Sequence, residues 1–245
     1  MDNALEVVSQ DGGTLYFLSD KVHGLPPDGL SNTQADIFSD VQDMMLDTLE
    51  GLNGCIMAYG QTGSGKTFTL AGNLDSSPDQ GILTRSVNHL SKAIREGSDG
   101  NQIQVHLSMV EIFCESIRDL LSDGPGSTSW CPAVQRGKEL GTIIARATEV
   151  AVTDYSELVE LTQQALARRT MAPTSTNAAS SRSHCLITFT VQRLLPDGSV
   201  MRGKLSLVDL AGSEHHENTL ADVERGVPVD ASLCVLGNVV KAVAK

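Results

Sequence analysis

The segment GCIMAYGQTGSGKT, residues 54–67, constrains this chain more than any other. A short apolar run ending in glycine leads directly into G-x-x-x-x-G-K-T. The apolar run suits a buried parallel strand, and the loop after it suits an anion. Glycines let backbone N–H groups turn inward around phosphate oxygens without Cβ clashes. Lys66 brings a positive charge to the β- and γ-phosphates, and Thr67 offers a hydroxyl to Mg²⁺. A helix starting after the loop directs its positive end at the same anion. The expected nucleotide-binding residues are therefore Gly60, Gln61, Thr62, Gly63, Ser64, Gly65, Lys66 and Thr67.

Composition narrows the setting. A length of 245 residues suits one large α/β domain or two small ones. The formal charge of −12 argues against wrapping nucleic acid or binding an anionic membrane, which need clustered Lys and Arg. A hydrophobic fraction of 40% supports a real core, and only 4% aromatics makes that core aliphatic. Cys55, Cys114, Cys131, Cys185 and Cys234 form no CxxC pair, so a zinc cage is not expected and reduced intracellular thiols are. The first 13 residues lack the pattern of a secretory signal, and no apolar run is long enough to span a bilayer.

Periodicity predicts alternating elements. Residues 15–22 read as a strand. Ile37, Val41, Met44, Met45 and Leu49 share one helix face, with Gly51 as its stop. Residues 83–96 and 156–170 read as helices, the second with Leu158, Leu161, Ala165 and Leu166 as its apolar stripe. Residues 104–113 read as a strand, 114–121 as a short helix, 122–138 as a surface excursion and 142–152 as a strand. Residues 185–210 read as a hairpin turning at 196–199, and 231–245 as a helix. Strands alternating with helices predict an α/β fold, and the hairpin predicts a mixed sheet.

Two further segments carry candidate chemistry. SLVDLAGSE (206–214) is an apolar strand ending in Asp209, the way a Walker-B carboxylate reaches a Mg²⁺ shell. Gly212 follows with a backbone N–H that can meet a γ-phosphate oxygen. NAASSRSH (177–184) reads either as a plain Ser-rich turn or as a loop that senses the γ-phosphate.

Taken together, AYGQTGSGKT, NAASSRSH and DLAGSE resemble the kinesin motor family, in its order and at roughly its spacing. The similarity extends through LEGLNGCIMAYGQTG, VEIFCESIRDLL and SLCVLGNVVKA, so that it covers about residues 14–245 of a single domain, 1–245. The resemblance implies a three-layer P-loop NTPase fold with a mixed central sheet flanked by helices. It implies ATP and Mg²⁺ as ligands, microtubules as partner, and a cytoplasmic, cytoskeletal setting. It also implies roles. Arg182 and Glu214 would form the ion pair that closes over ATP. Ser180 and Ser181 would lie near the γ-phosphate and Mg²⁺. Asn177 would support that loop, and the metal shell would draw on Thr67, Ser181 and, through water, Asp209.

The chain departs from the family pattern in three places. No RxRP-like segment precedes the first helix, and the first arginine is Arg85. Residues 215–233 replace the family's basic loop and INxSL-like helix start with a segment holding Glu217, Asp222, Glu224 and Asp230 against a single Arg225; Pro228 would delay that helix. The family's later elements are expected to be missing after Lys245, which would leave the fold incomplete at both ends. Two functional readings follow: an ATP-hydrolysing microtubule motor domain, or a nucleotide-binding regulatory domain of the same family without motor activity. An unrelated P-loop NTPase would leave both later motifs unexplained. No heptad run argues for a dimer.

Overall fold

The computed structural model describes residues 4–8, 14–23, 33–74, 78–96, 102–113, 116–122, 133–137, 140–152, 154–170, 182–214 and 231–243. Strands β1 (Ala4–Val8) and β2 (Thr14–Leu18) form an antiparallel hairpin of their own.

Helix α1 (Gln34–Leu49) begins where Thr33 and Asp36 close a capping box. Asp36 N–H donates to Thr33 Oγ1, and Thr33 N–H donates to Asp36 Oδ2 at 2.7 Å. It ends at Gly51, whose φ of +84° is the left-handed cap that glycine accepts without strain. Its apolar face buries Phe38 and Met45, with Ile37, Val41, Met44 and Leu49 packed alongside.

The main sheet contains β3 (Asn53–Ala58), β10 (Val200–Asp209), β9 (His184–Leu194), β4 (Gln102–Phe113) and β5 (Ser116–Asp119) in that order, and β8 (Val150–Val152) also pairs with β4. β10 runs parallel to β3 and antiparallel to β9, which makes the sheet mixed. Alternation then sorts the side chains. Val105, Leu107 and Met109, Ile187, Phe189 and Val191, and Leu205 and Leu207 all face one core. Helices α1, α3 (Ile82–Glu96) and α4 (Tyr155–Thr170) pack into it, as does Leu70 of the short α2 (Lys66–Leu70). Helix α5 (Ala231–Val243) closes the described chain, and no described helix is long and apolar enough to cross a membrane.

Over the other sheet face lies the hairpin of β6 (Ala133–Arg136) and β7 (Thr142–Ala145). Lys204 reaches up from β10 and donates to the carbonyls of Leu140 (2.7 Å) and Thr142 (2.6 Å).

Three local expectations are corrected. Residues 116–119 form β5 rather than a helix. Ile117, Leu120 and Leu121 have helical spacing, but pairing with the edge of β4 overrides it. Asp119 Oδ1 then accepts from the N–H groups of Leu121 and Ser122, and its Oδ2 from Thr148 N–H. Residues 142–152 form two strands, because Arg146 at φ +68° breaks the run and sends β7 to β6 and β8 to β4. Finally, β3 is parallel but lies at the edge of the sheet among the described residues, with Cys55 and Met57 exposed where burial is expected.

Candidate functional site

Parallel pairing of β3 with β10 sets Ala58 beside Asp209, so the residues after both strands emerge at one edge. That edge is where open α/β sheets bind ligands. The loop after β3 needs its glycines for backbone reasons. Gly63 (φ +79°) and Gly65 (φ +91°) are left-handed, yet a Cβ at either would meet nothing. The conformation, not space, excludes other residues there.

The segment after β10 is laced to this loop. Leu210 N–H donates to Ala58 O at 3.3 Å, and Ser213 N–H donates to Gly60 O at 3.0 Å. Thr62 N–H donates to Glu214 Oε2 at 2.8 Å, and the Thr62 hydroxyl donates to Glu214 Oε1. Gly212 sits under that clasp, where a Cβ would overlap both Glu214 carboxylate oxygens and Thr62 Oγ1. Lys66 Nζ folds over the loop and donates to the carbonyls of Gly60 (2.9 Å) and Gln61 (2.8 Å).

Thr67 and Asp209 meet although 142 residues separate them: the hydroxyl donates to Asp209 Oδ2 at 2.7 Å. Arg169 Nη1 donates to the same oxygen at 2.7 Å. Asp209 Oδ1 is buried and has no hydrogen-bond partner among the described residues. A hydroxyl oxygen and a free carboxylate oxygen, both hard donors, are the chemistry Mg²⁺ requires. The residues present therefore fit that ion.

Arg182 is half-buried at the foot of β9. Asn177, Ser180 and Ser181 lie outside the described residues. At the start of β9, His184 Nδ1 accepts from Ala211 N–H at 3.1 Å, which leaves the ring proton on Nε2, 2.8 Å from Ser232 Oγ on α5. Burial chiefly, and the nearby Arg169 charge second, hold the His184 pKa below its ordinary value, against an opposing pull from Asp209.

Sequence reasoning missed a buried ionic hub beside this site. Arg169, Glu111, Ser183 and Asp209 are all nearly inaccessible. The missed signal is periodic. Arg169 continues the Leu158–Ala165 face of α4, and Glu111 and Asp209 continue the core-facing alternation of β4 and β10. A charge on an apolar register is unusual enough to mark a partnered site.

The kinesin motor domain family profile matches residues 17–245. Kinesin-related protein 5 of Dictyostelium discoideum is 37% identical over 86% of this chain and 22% of its own length. Kinesin-like protein KIN-1 of Arabidopsis thaliana is 37% identical over 86% of this chain and 46% of its own length. Among solved structures, a fast kinesin analysed for its ATPase mechanism and interactions with microtubules superposes with a TM-score of 0.77 at 32% identity, covering 89% of this chain and 60% of that one. The chain thus spans less than half the length of these curated relatives.

Proposed function

This chain belongs to the kinesin motor domain family, and from that premise we propose that it binds and hydrolyses ATP and couples the γ-phosphate state to movement along microtubules. The observation that carries the reading is the Thr67–Asp209 contact, which joins the phosphate loop to the end of β10.

In this reading, Lys66 and the backbone N–H groups of the 60–67 loop that are not already engaged, as those of Thr62 with Glu214 and Ser64 with Gln61 are, hold the α-, β- and γ-phosphates. Mg²⁺ held there would supply charge neutralisation for phosphoryl transfer. Thr67, Ser181 and, through water, Asp209 would hold that ion. Gly212 N–H meets a γ-phosphate oxygen. Closure brings Arg182 onto the Glu214 carboxylate that Thr62 holds, and the closed pair orders a water in line with the γ-phosphorus. Water attacks there as the β–γ anhydride bond breaks, ADP departs as the leaving group, and the proton of the water passes to the phosphate product and solvent, so catalysis is positioning plus charge stabilisation. Ser180 lies near the transferred phosphoryl group, and Asn177 supports its loop. Loss of the γ-phosphate then releases the 177–184 and 209–214 segments, which is how hydrolysis becomes motion.

The microtubule contact falls on residues 215–230, outside the described residues, and on α5. The functional setting is the microtubule cytoskeleton of the cytoplasm. A second reading, nucleotide binding with regulation but no motility, draws on Glu217, Asp222, Glu224 and Asp230 in the contact segment. Those carboxylates would be repelled by an acidic track, and salt would screen the repulsion. Titration of the purified chain with a fluorescent ATP analogue, with and without Mg²⁺, tests the site. Saturable Mg²⁺-dependent binding is expected, and its absence would overturn both readings.

A further inference from the structure

Four buried polar side chains, from α4, β4, β10 and the residue just before β9, meet behind the proposed nucleotide site. Arg169, in the last turn of α4, donates through Nη1 to Asp209 Oδ2 at 2.7 Å and through Nη2 to the Ser183 carbonyl at 3.1 Å. Its Nε lies 4.0 Å from Glu111 Oε1 on β4. Glu111 Oε1 accepts the Ser183 hydroxyl at 2.7 Å, and Glu111 Oε2 lies 3.6 Å from Arg118 on β5. Arg169 therefore ties the end of β10 to the backbone that runs from Arg182 into β9.

The geometry at Asp209 is asymmetric. Oδ2 takes two donors, Arg169 and Thr67, while buried Oδ1 takes none among the described residues. A carboxylate gripped on one oxygen cannot rotate, so the other oxygen keeps a fixed direction. Resting on the Mg²⁺–ATP reading above, we propose that Arg169 is a positioning residue that holds Asp209 with Oδ1 presented to the Mg²⁺ shell, and that Glu111 in turn holds Arg169. The guanidinium suits the task because its planar fork serves Asp209 and Ser183 at once; a lysine ammonium in the same place cannot span both.

The test is the Mg²⁺ dependence of binding of a fluorescent ADP analogue to the full chain, read without turnover. Arg169→Lys keeps the charge but loses the fork. It should raise the Mg²⁺ concentration for half-maximal effect by ~10-fold, as loss of outer-shell support does elsewhere. Affinity measured in excess chelator should stay at the wild-type value, because the described Arg169 bonds run to Asp209 and Ser183. An unchanged Mg²⁺ midpoint in Arg169→Lys overturns the proposal, as does an equal loss of affinity with and without Mg²⁺. Glu111→Gln, which leaves Arg169 in place, should move the midpoint in the same direction by a smaller factor. It decides the matter if the lysine variant does not fold, and an unchanged midpoint there is equally contrary. Wild-type binding that ignores Mg²⁺ would instead refute the Mg²⁺–ATP reading itself.

Discussion

Thr62 holds Glu214 by two hydrogen bonds, one from its backbone N–H at 2.8 Å and one from its hydroxyl. The carboxylate assigned to closing the site is thus docked on the loop proposed to hold the phosphates. Removing it should spare binding and stop chemistry. Glu214→Ala is expected to bind nucleotide with near wild-type affinity and to lose turnover. Normal ATP hydrolysis by this variant, measured as phosphate release, would sink the assignment.

Gly212 permits that docking by lacking a Cβ. Gly212→Ala forces the new methyl into the Glu214 carboxylate and Thr62 Oγ1, so one of the three must move. Misplacing a catalytic group by about 1 Å can cost on the order of 100-fold in rate. Phosphate release should fall by roughly that factor while the melting temperature barely changes; a variant with wild-type turnover would show that the close packing at Gly212 is irrelevant to catalysis.

His184 bridges Ala211 N–H and Ser232 Oγ as a neutral imidazole. Its folded pKa lies below the ordinary 6.5, because burial and Arg169 disfavour the cation. Its contribution to stability is therefore complete above pH 6.5 and falls away as pH drops below that value toward the folded pKa. His184→Gln can keep both hydrogen bonds without titrating. Denaturant midpoints should show the wild type losing stability relative to this variant below pH 6.5, and parallel curves would contradict the bridge as described.

Cys185 is fully buried in the core face of β9, and burial pushes its thiol up to about 11. Cys55 and Cys234 are exposed. Thiolate is the reactive form, so Cys185 should resist a maleimide under native conditions and react only on unfolding. Mass spectrometry after brief labelling reads this directly, and prompt modification of Cys185 would mean β9 is not packed as described.

The sequence made some features plain and hid others for physical reasons. The glycine pattern of residues 60–67 is legible because left-handed backbone demands glycine, and α1 because Ile37, Val41, Met44, Met45 and Leu49 repeat at helical spacing before Gly51 stops the run, whereas the Thr33–Asp36 cap shows only in the structure. The hairpin of β9 and β10 is legible because both strands alternate and Pro196–Ser199 supplies the turn. β5 was hidden, since four residues carry too little periodicity to oppose a helical reading and only the edge of β4 decides between them. The half-exposure of β3 was hidden for a related reason: an apolar run reports hydrophobicity but not its place in the sheet. The Arg169 hub was hidden because its members come from residues 111, 169, 183 and 209, and no local spacing links them.

In the function proposed, γ-phosphate chemistry at residues 60–67 and 209–214 serves movement on microtubules. Steady-state ATPase of the purified chain, with and without microtubules and across ionic strength, tests it most directly. Microtubules are expected to accelerate turnover, with an affinity set by the acidic 215–230 segment. Nucleotide binding with no acceleration at any salt concentration would contradict the motor reading and leave a nucleotide-binding regulatory domain in its place.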